Sequence, residues 1–192
     1  IFTLDCGINA VQQVQYANKH EIDIIICDHH NPSAVLPNAT AILNPKQKKC
    51  TYPYKELSGC GVGFKLIHAF SINKNISFDE IAKYLEFVAI SILADIVPLN
   101  DENRILAFYG LQKINQSPSI GVKALSSSFK NTTLSTSDLI FGIAPRINAA
   151  GRIFHARKAV ESLIEKDIND AKRLTVLIEK HNNERKEIEQ KI

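Results

Sequence analysis

Two short apolar runs near the beginning of the chain each end at an aspartate. Ile22–Cys27 is followed by Asp28, and a similar run is followed by Asp5, 23 residues earlier. β-Branched apolar residues on both sides of the pleat are typical of a strand that is buried on both faces. Residues 9–19, between the two runs, carry apolar side chains at helical spacing. The pattern therefore predicts a strand–helix–strand unit with two parallel strands.

Polar side chains of chemical interest follow both predicted strands. Parallel strands end at the same edge of a sheet, and open α/β sheets bind ligands just beyond that edge. We therefore expect Asp5, Asp28, His29 and His30 to converge. Asp5 alone is equally well explained as the N-cap of the following helix, but adjacent histidines after a buried strand are costly to bury unpaired. Aspartate and histidine together suit Mn²⁺, Mg²⁺ or Zn²⁺, and an oxygen-rich set favours Mn²⁺ or Mg²⁺.

The remainder of the chain is predicted to be mostly helical after a third short strand, Ala41–Pro45. A helix that begins at Asp79 leads into Asp95, at a transition from helix to loop. Further helices are predicted over residues 64–70, 103–114 and from 155 onward, whereas 117–137 is predicted to be a loop with a short helix. The expected fold is α/β, a parallel-sheet domain with helices on both faces that ends in a long connecting helix. We place the domain at residues 1–155 and a helical segment leading to a second lobe at 156–192.

Composition narrows the function only slightly. The chain has 192 residues, of which 45% are hydrophobic and 22% charged, and its net charge of +3 permits a polyanionic substrate without arguing for one. Neither a bilayer-spanning apolar run nor a signal peptide is visible. Four cysteines without a C-x-x-C pair predict reduced thiols and a cytoplasmic location. The chain begins inside a predicted strand and contains no methionine, so we expect a piece of a longer protein.

Several motifs follow one another along most of the chain. They are Asp28-His29-His30, Asn44-Pro45, the glycine-containing segment 56–66, Ala94-Asp95-Ile96-Val97-Pro98-Leu99, and Ala144-Pro145-Arg146-Ile147-Asn148-Ala149-Ala150-Gly151-Arg152. This series resembles the DHH phosphoesterases. Its last block resembles, within that family, the bacterial single-strand-specific exonucleases of the RecJ type.

The resemblance implies a nuclease that hydrolyses single-stranded DNA from 5′ to 3′, with a two-metal site for Mn²⁺ or Mg²⁺ and a role in DNA repair and recombination. By resemblance, Asp5 would bridge the two metals, His29 would ligate one of them and Asp95 would complete that shell. His30 would contact the scissile phosphate or the nucleophilic water. Asp28 would orient the histidines.

Arg146, Asn148 and Arg152 are the candidates for holding the DNA phosphate, since arginine forks match phosphate oxygens. The alternative is that the arginines pair with acids and fix the local backbone. The glycines at 59, 61 and 63 are expected to allow close packing of a helix on the sheet, with anion binding by their amides as the second interpretation.

Two features depart from the family pattern. The family's first motif, which supplies further metal ligands, is absent, so we expect the fragment alone to be inactive or nearly so. Ser91-Ile92 replaces the small Gly-Thr pair that usually precedes the third aspartate.

Other functions remain open from the sequence. The main alternative is a DHH phosphodiesterase that acts on oligoribonucleotides or cyclic dinucleotides. A scaffold protein without activity is disfavoured, because such relatives lose the metal ligands. The partners expected from the resemblance are single-stranded DNA, a helicase and a single-strand-binding protein, for a protein that acts as a monomer and not at a membrane.

Overall fold

The computed structural model describes residues 1–129, 133–153 and 156–189, with side chains described for 1–129, 133–150 and 157–187. The chain divides into two compact units, Ile1–Phe108 and Tyr109–Ile192. The two compact units are divided between residues 108 and 109. The domain boundary expected at residue 155 stays a prediction. In the described residues, no helix is long and apolar enough to cross a membrane.

The first unit is built on a three-stranded sheet. Its strands are β1 (Phe2–Leu4), β2 (Ile25–Cys27) and β3 (Ala41–Leu43), in that spatial order. Both pairs are parallel, and Cys27 lies beside Leu4 on one side and Leu43 on the other. Helix α1 (Val11–Lys19) connects β1 to β2. The predicted parallel strand–helix–strand unit is confirmed, although β2 is shorter than the apolar run that predicted it.

The central strand is covered on both faces. Ile24 and Ile26 pack with Val14 and Ala17 of α1, whereas Cys27 belongs to a second cluster with apolar residues of the helices at 59–73 and 85–94. Alternate residues of a strand point to opposite faces, so the continuous run of isoleucines serves two cores at once. The expectation of helices on both faces of the sheet is confirmed.

The helices of the first unit begin and end differently from the sequence prediction. Helix α2 (Gly59–Asn73) starts five residues before the predicted Phe64, because the hydroxyl of Ser58 accepts a hydrogen bond from the amide of Gly61 (3.1 Å) and caps it. The single helix expected from Asp79 is two helices, α3 (Phe78–Ala82) and α4 (Leu85–Ala94). Ser77, not Asp79, supplies the cap of α3.

The second unit is helical in its described residues. After α5 (Asp101–Gln116), which begins in the first unit, come α6 (Ile120–Ser126), α7 (Thr136–Asp138), a π-helical segment (Leu139–Ile143), α8 (Ala144–Ile153), α9 (Ala156–Ile164) and α10 (Ile168–Glu189). A core of Leu125, Ala150, Ala159 and Ile178 joins α6, α8, α9 and α10. The basic block at 144–152 is helical and lies in α8. The long C-terminal helix is confirmed.

One buried side chain fastens the loop that follows Asp95. Asn103, which is fully buried, donates from Nδ2 to the carbonyl oxygens of Glu56 (2.6 Å) and Pro98 (3.0 Å). The Tyr54 hydroxyl also donates to the Pro98 carbonyl (3.1 Å). The loop after Asp95 is therefore tied to the segment that precedes α2.

We expect Asn103→Ala to lower the free energy of unfolding by about 2 kcal/mol, because two buried carbonyl groups lose their donor. Urea denaturation followed by circular dichroism measures the effect. Asn73→Ala, at an exposed position in α2, is the control and should change stability by less than about 0.5 kcal/mol. Equal stability of the two variants would show that Asn103 does not hold this loop.

Candidate metal centre

Asp5 ends β1 in an unusual backbone conformation. Its φ is +62°, in the left-handed region that aspartate tolerates better than most residues. Its amide donates to the carbonyl of Cys27 (2.9 Å), which extends the pairing of β1 with β2 by one residue. The N-cap position of α1 is Ala10, and no side chain caps that helix. The interpretation of Asp5 as a helix cap is therefore wrong.

Asp28 is a buried carboxylate that accepts hydrogen bonds from the surrounding loops. Its side chain is 1% exposed and accepts four hydrogen bonds, from the amides of Ile8 (2.9 Å), His29 (2.8 Å) and His30 (3.2 Å) and from Nδ1 of His30 (2.7 Å). Burial disfavours the charged carboxylate, but these donors outweigh it and lower the pKa of Asp28. Asp28 therefore stays ionised and has no free edge for a ligand. This geometry supports the predicted orienting role.

His29 is held with one nitrogen turned toward Asp5. Its Nδ1 lies 3.1 Å from the carbonyl oxygen of Leu57, which can only accept, so Nδ1 carries the proton. In the neutral ring this leaves a lone pair on Nε2, which lies 3.0 Å from Oδ1 of Asp5. The hydrogen bond with Asp5 raises the pKa of His29, against the opposing effect of burial.

The facing atoms of His29 and Asp5 fit a divalent cation. Two lone pairs at 3.0 Å repel unless a proton or a metal ion is shared between them. Adjacent ligands at ~2.1 Å in an octahedral shell lie about 3.0 Å from each other, which matches the observed separation. Ligand atoms of Asp5, His29 and His30 all lie within 4.8 Å of one another. The strand ends thus bring together a three-residue donor set of mixed oxygen and nitrogen.

Asp95 lies near this set but is not a member of it. It is the C-cap residue of α4, and its carboxylate accepts from the Ser91 hydroxyl (3.3 Å). Burial raises the pKa of Asp95, and the negative charge of Asp5 raises it further, while His29 opposes both. A carboxylate whose charged form is disfavoured by burial and by a neighbouring negative charge would be stabilised by a cation. The ligand role of Asp95 stays a prediction.

The thiol next to the donor set is protonated at neutral pH in the metal-free protein. Burial raises the pKa of Cys60 to about 11, and the carboxylates of Asp5 and Asp95 contribute to the rise. The donor set itself consists of one carboxylate and two imidazoles, and aspartate and histidine ligands suit Mn²⁺ or Mg²⁺.

Gly59 makes room for the Asp5 side chain. A Cβ atom at Gly59 would lie 2.0 Å from Oδ1 of Asp5, which is shorter than any tolerated contact, whereas one at Gly63 would lie 3.3 Å from a methyl group of Leu4. Gly63 thus serves the helix–sheet packing that the sequence predicted, and Gly59 serves the site. Sequence reasoning missed this role, and also the Leu57 carbonyl, because a backbone atom has no signature in the sequence.

The predicted phosphate-binding residues lie in the second unit. Arg146 forms an ion pair with Glu179 (3.2 Å), donates to the Ser128 hydroxyl (3.1 Å) and lies over the Phe129 ring. This ion pair is the contact that the alternative interpretation required, and the substrate role of Arg146 stays a prediction. Asn148 is exposed on α8. The side chain of Arg152 lies outside the described residues.

Residues 1–92 match the model of the DHH family, N-terminal domain. These first 92 residues belong to the DHH family. Such proteins are named after an Asp-His-His triplet. In this chain the triplet is Asp28-His29-His30, which contains the buried carboxylate and both histidines of the donor set.

Several bacterial relatives of this chain are single-stranded-DNA-specific exonucleases named RecJ. The chain is 41% identical over 194 residues to RecJ of Bacillus subtilis, covering 100% of this chain and 24% of that protein. Its identity to RecJ of Escherichia coli is 37%, over 99% of this chain and 35% of the relative. The crystal structure of RecJ with Mn²⁺ from Thermus thermophilus matches 98% of this chain and 28% of its own, with a TM-score of 0.87 and 28% identity. The chain thus spans about a quarter to a third of the length of these relatives.

Gly59→Ala should weaken Mn²⁺ binding by about 10-fold or more, because the added methyl group displaces the Asp5 carboxylate from His29. Isothermal titration with MnCl₂ measures the change. Gly63→Ala in the same helix is the matched control and should alter affinity less than about 2-fold. Equal affinities in the two variants would rule out Asp5 as a ligand.

Asp5→Asn should lower the pKa of His29 in the metal-free protein, because the neutral amide no longer favours the imidazolium ion. A proton NMR titration of the His29 ring measures this pKa, with Asp23→Asn, at an exposed carboxylate two residues before β2, as control. The pKa of His29 is raised in the folded protein. The pair of His29 and Asp5 therefore stabilises the fold fully below the pKa that His29 has in the unfolded chain, and this stabilisation is lost as the pH rises through the folded-state pKa of His29. An unchanged pKa would mean that the two side chains do not interact in solution.

Proposed function

We propose that the protein is a metal-dependent exonuclease that hydrolyses phosphodiester bonds of single-stranded DNA from the 5′ end. The observation that carries the proposal is the fixed tautomer of His29, whose Nε2 faces Oδ1 of Asp5 at 3.0 Å. The names of the relatives support the substrate class. The 5′-to-3′ polarity rests on the family resemblance.

Divalent Mn²⁺ or Mg²⁺ is the proposed cofactor, in keeping with RecJ structures that contain either ion. Asp5, His29 and Asp95 would hold it, and the bound ion would supply a water of lowered pKa and neutralise charge on the phosphoryl group. His30, whose Nδ1 is hydrogen-bonded to Asp28, would contact the phosphate or the attacking water. Asp28 would be a positioning residue that orients the His30 ring.

The cellular setting is proposed from the same relatives. A role in DNA repair and recombination in the cytoplasm, with a helicase and a single-strand-binding protein as partners, follows from the family resemblance. Because the matched region is about a quarter to a third of the relatives, we propose that residues 1–192 alone have little or no activity.

The test is digestion of 3′-labelled single-stranded DNA by the full-length protein in the presence of Mn²⁺. We expect shortening from the 5′ end to mononucleotides, and loss of about 10³-fold or more in rate for His29→Ala, since the site loses a ligand. His20→Ala, at an exposed position after α1, is the matched control and should retain full activity.

Two results would contradict the proposal. Undigested polymer together with rapid cleavage of oligoribonucleotides or cyclic dinucleotides would identify the other class of DHH phosphodiesterase. Equal activity of His29→Ala and His20→Ala would show that the donor set is not the catalytic centre.

A further inference from the structure

The loop that follows β3, residues 44–46, begins next to the candidate metal centre. In the parallel sheet, Leu43 at the end of β3 lies beside Cys27 at the end of β2. The amide of Asp28 donates to the Leu43 carbonyl (3.0 Å), so the two strand ends stay paired up to the first residue of the Asp-His-His triplet. The loop after β3 therefore starts at the same edge of the sheet as the two histidines.

Asn44 fixes the backbone of this loop relative to the donor set. It is 2% exposed, and its Nδ2 donates to the carbonyl of His30 (2.9 Å). Its Oδ1 accepts a hydrogen bond from the amide of Lys46 (2.8 Å). Because both ends of this buried side-chain amide are engaged, the backbone of Lys46 is held at a constant position beside His30. A side chain on a fixed backbone loses less entropy when it binds a ligand.

The ammonium group of Lys46 lies close to His29. Its Nζ is 3.2 Å from Oε2 of Glu56, and Glu56 directly precedes Leu57, whose carbonyl oxygen orients the His29 ring. The pKa of His29, which the hydrogen bond with Asp5 raises, is lowered in part by the positive charge of Lys46. The ion pair and the charge effect agree that this cation lies beside the donor set.

The ion pair between Lys46 and Glu56 is one that a phosphate is able to replace. The Glu56 side chain is 43% exposed, and ion pairs at such exposed positions contribute little to stability. Lysine binds phosphates as a compact point charge. A phosphodiester at the metal centre brings negative charge to the same edge of the sheet. Lys46 can then exchange the carboxylate for a phosphate oxygen.

We propose that Lys46 binds a phosphate oxygen of the single-stranded DNA substrate at the metal centre, and that Glu56 is its partner when no DNA is bound. The inference rests on the proposed nuclease function and adds a substrate-binding residue to the predicted Arg146, Asn148 and Arg152. A contact to the phosphate carries no base recognition, because the backbone is the same at every nucleotide. Lys46 holds the phosphodiester and offsets part of its charge.

The experiment measures binding of the full-length protein to a fluorescent oligo(dT) whose phosphorothioate linkages resist hydrolysis. The titrations are made at one concentration of MnCl₂ and over a series of salt concentrations. Lys46→Gln should weaken binding about 10-fold and make the slope of log K against log[salt] shallower by about 0.7, the value for one phosphate contact on a single strand. Lys48→Gln makes the same change of charge at an exposed position of the same segment. It is the matched control and should leave the slope unchanged.

Glu56→Gln gives a prediction of opposite sign. Removal of the carboxylate frees Lys46 for the phosphate, so binding should tighten about 3-fold, the scale of an exposed ion pair. This gain should vanish in the double variant Lys46→Gln/Glu56→Gln, because the cation that was freed is then absent. A gain that persists in the double variant would come from the change of net charge alone and would overturn the inference.

A structural role for Lys46 is separated by Lys46→Arg. A phosphate contact predicts that Lys46→Arg keeps the salt slope of the wild type, since the charge is retained. A purely structural ion pair predicts that Lys46→Gln and Glu56→Gln lower thermal stability alike and that neither changes the slope. Equal slopes for the wild type, Lys46→Gln and Lys48→Gln, in a protein that digests single-stranded DNA, would overturn the inference and leave the proposed function intact. Failure of the wild type to digest single-stranded DNA would overturn both.

Discussion

The candidate site depends on one buried carboxylate. Asp28 follows β2 and accepts hydrogen bonds from the loop before α1, from the two residues after it and from the His30 ring. Each charge-assisted hydrogen bond of this kind contributes about 1.5–3 kcal/mol, and together they offset the cost of burying the charge. The lowered pKa of Asp28 reflects that balance. Because one side chain satisfies donors from two strand ends, it fixes the two loops that carry Asp5 and His29 relative to each other.

Asp5 and Asp95 lie in the opposite kind of environment. Asp28 accepts four hydrogen bonds, whereas Oδ1 of Asp5 lies against the Nε2 atom of His29, and the hydrogen bond between them raises the pKa of His29. The pKa of Asp95 is raised first by burial and then by the negative charge of Asp5. In the absence of a cation, this arrangement disfavours the charged form of Asp95. The same arrangement is favourable once a divalent cation is bound.

The sequence predicted those features of the fold and the site that depend on the spacing of apolar residues and on the direction of the strands. The parallel β1–α1–β2 unit follows from apolar spacing, and the proximity of Asp5 to His29 follows from the shared edge of parallel strands. The role of Gly59 and the Leu57 carbonyl could not be predicted, because both act through backbone geometry that is set by tertiary packing. The pairing of Arg146 with Glu179 joins residues 33 positions apart in sequence, and no local pattern specifies such a partner.

Backbone strain beside Asp95 extends the argument to the third aspartate. Ile96 has a φ of +55° although it is β-branched, and its side chain is 83% exposed. Such a conformation costs about 1–3 kcal/mol, and an exposed side chain gains no packing energy in return. The compensation lies further along the loop, where Tyr54 and Asn103 donate to the Pro98 carbonyl. These contacts at Pro98 hold the turn after Asp95 in one conformation, which the proposed role of Asp95 as a metal ligand would require.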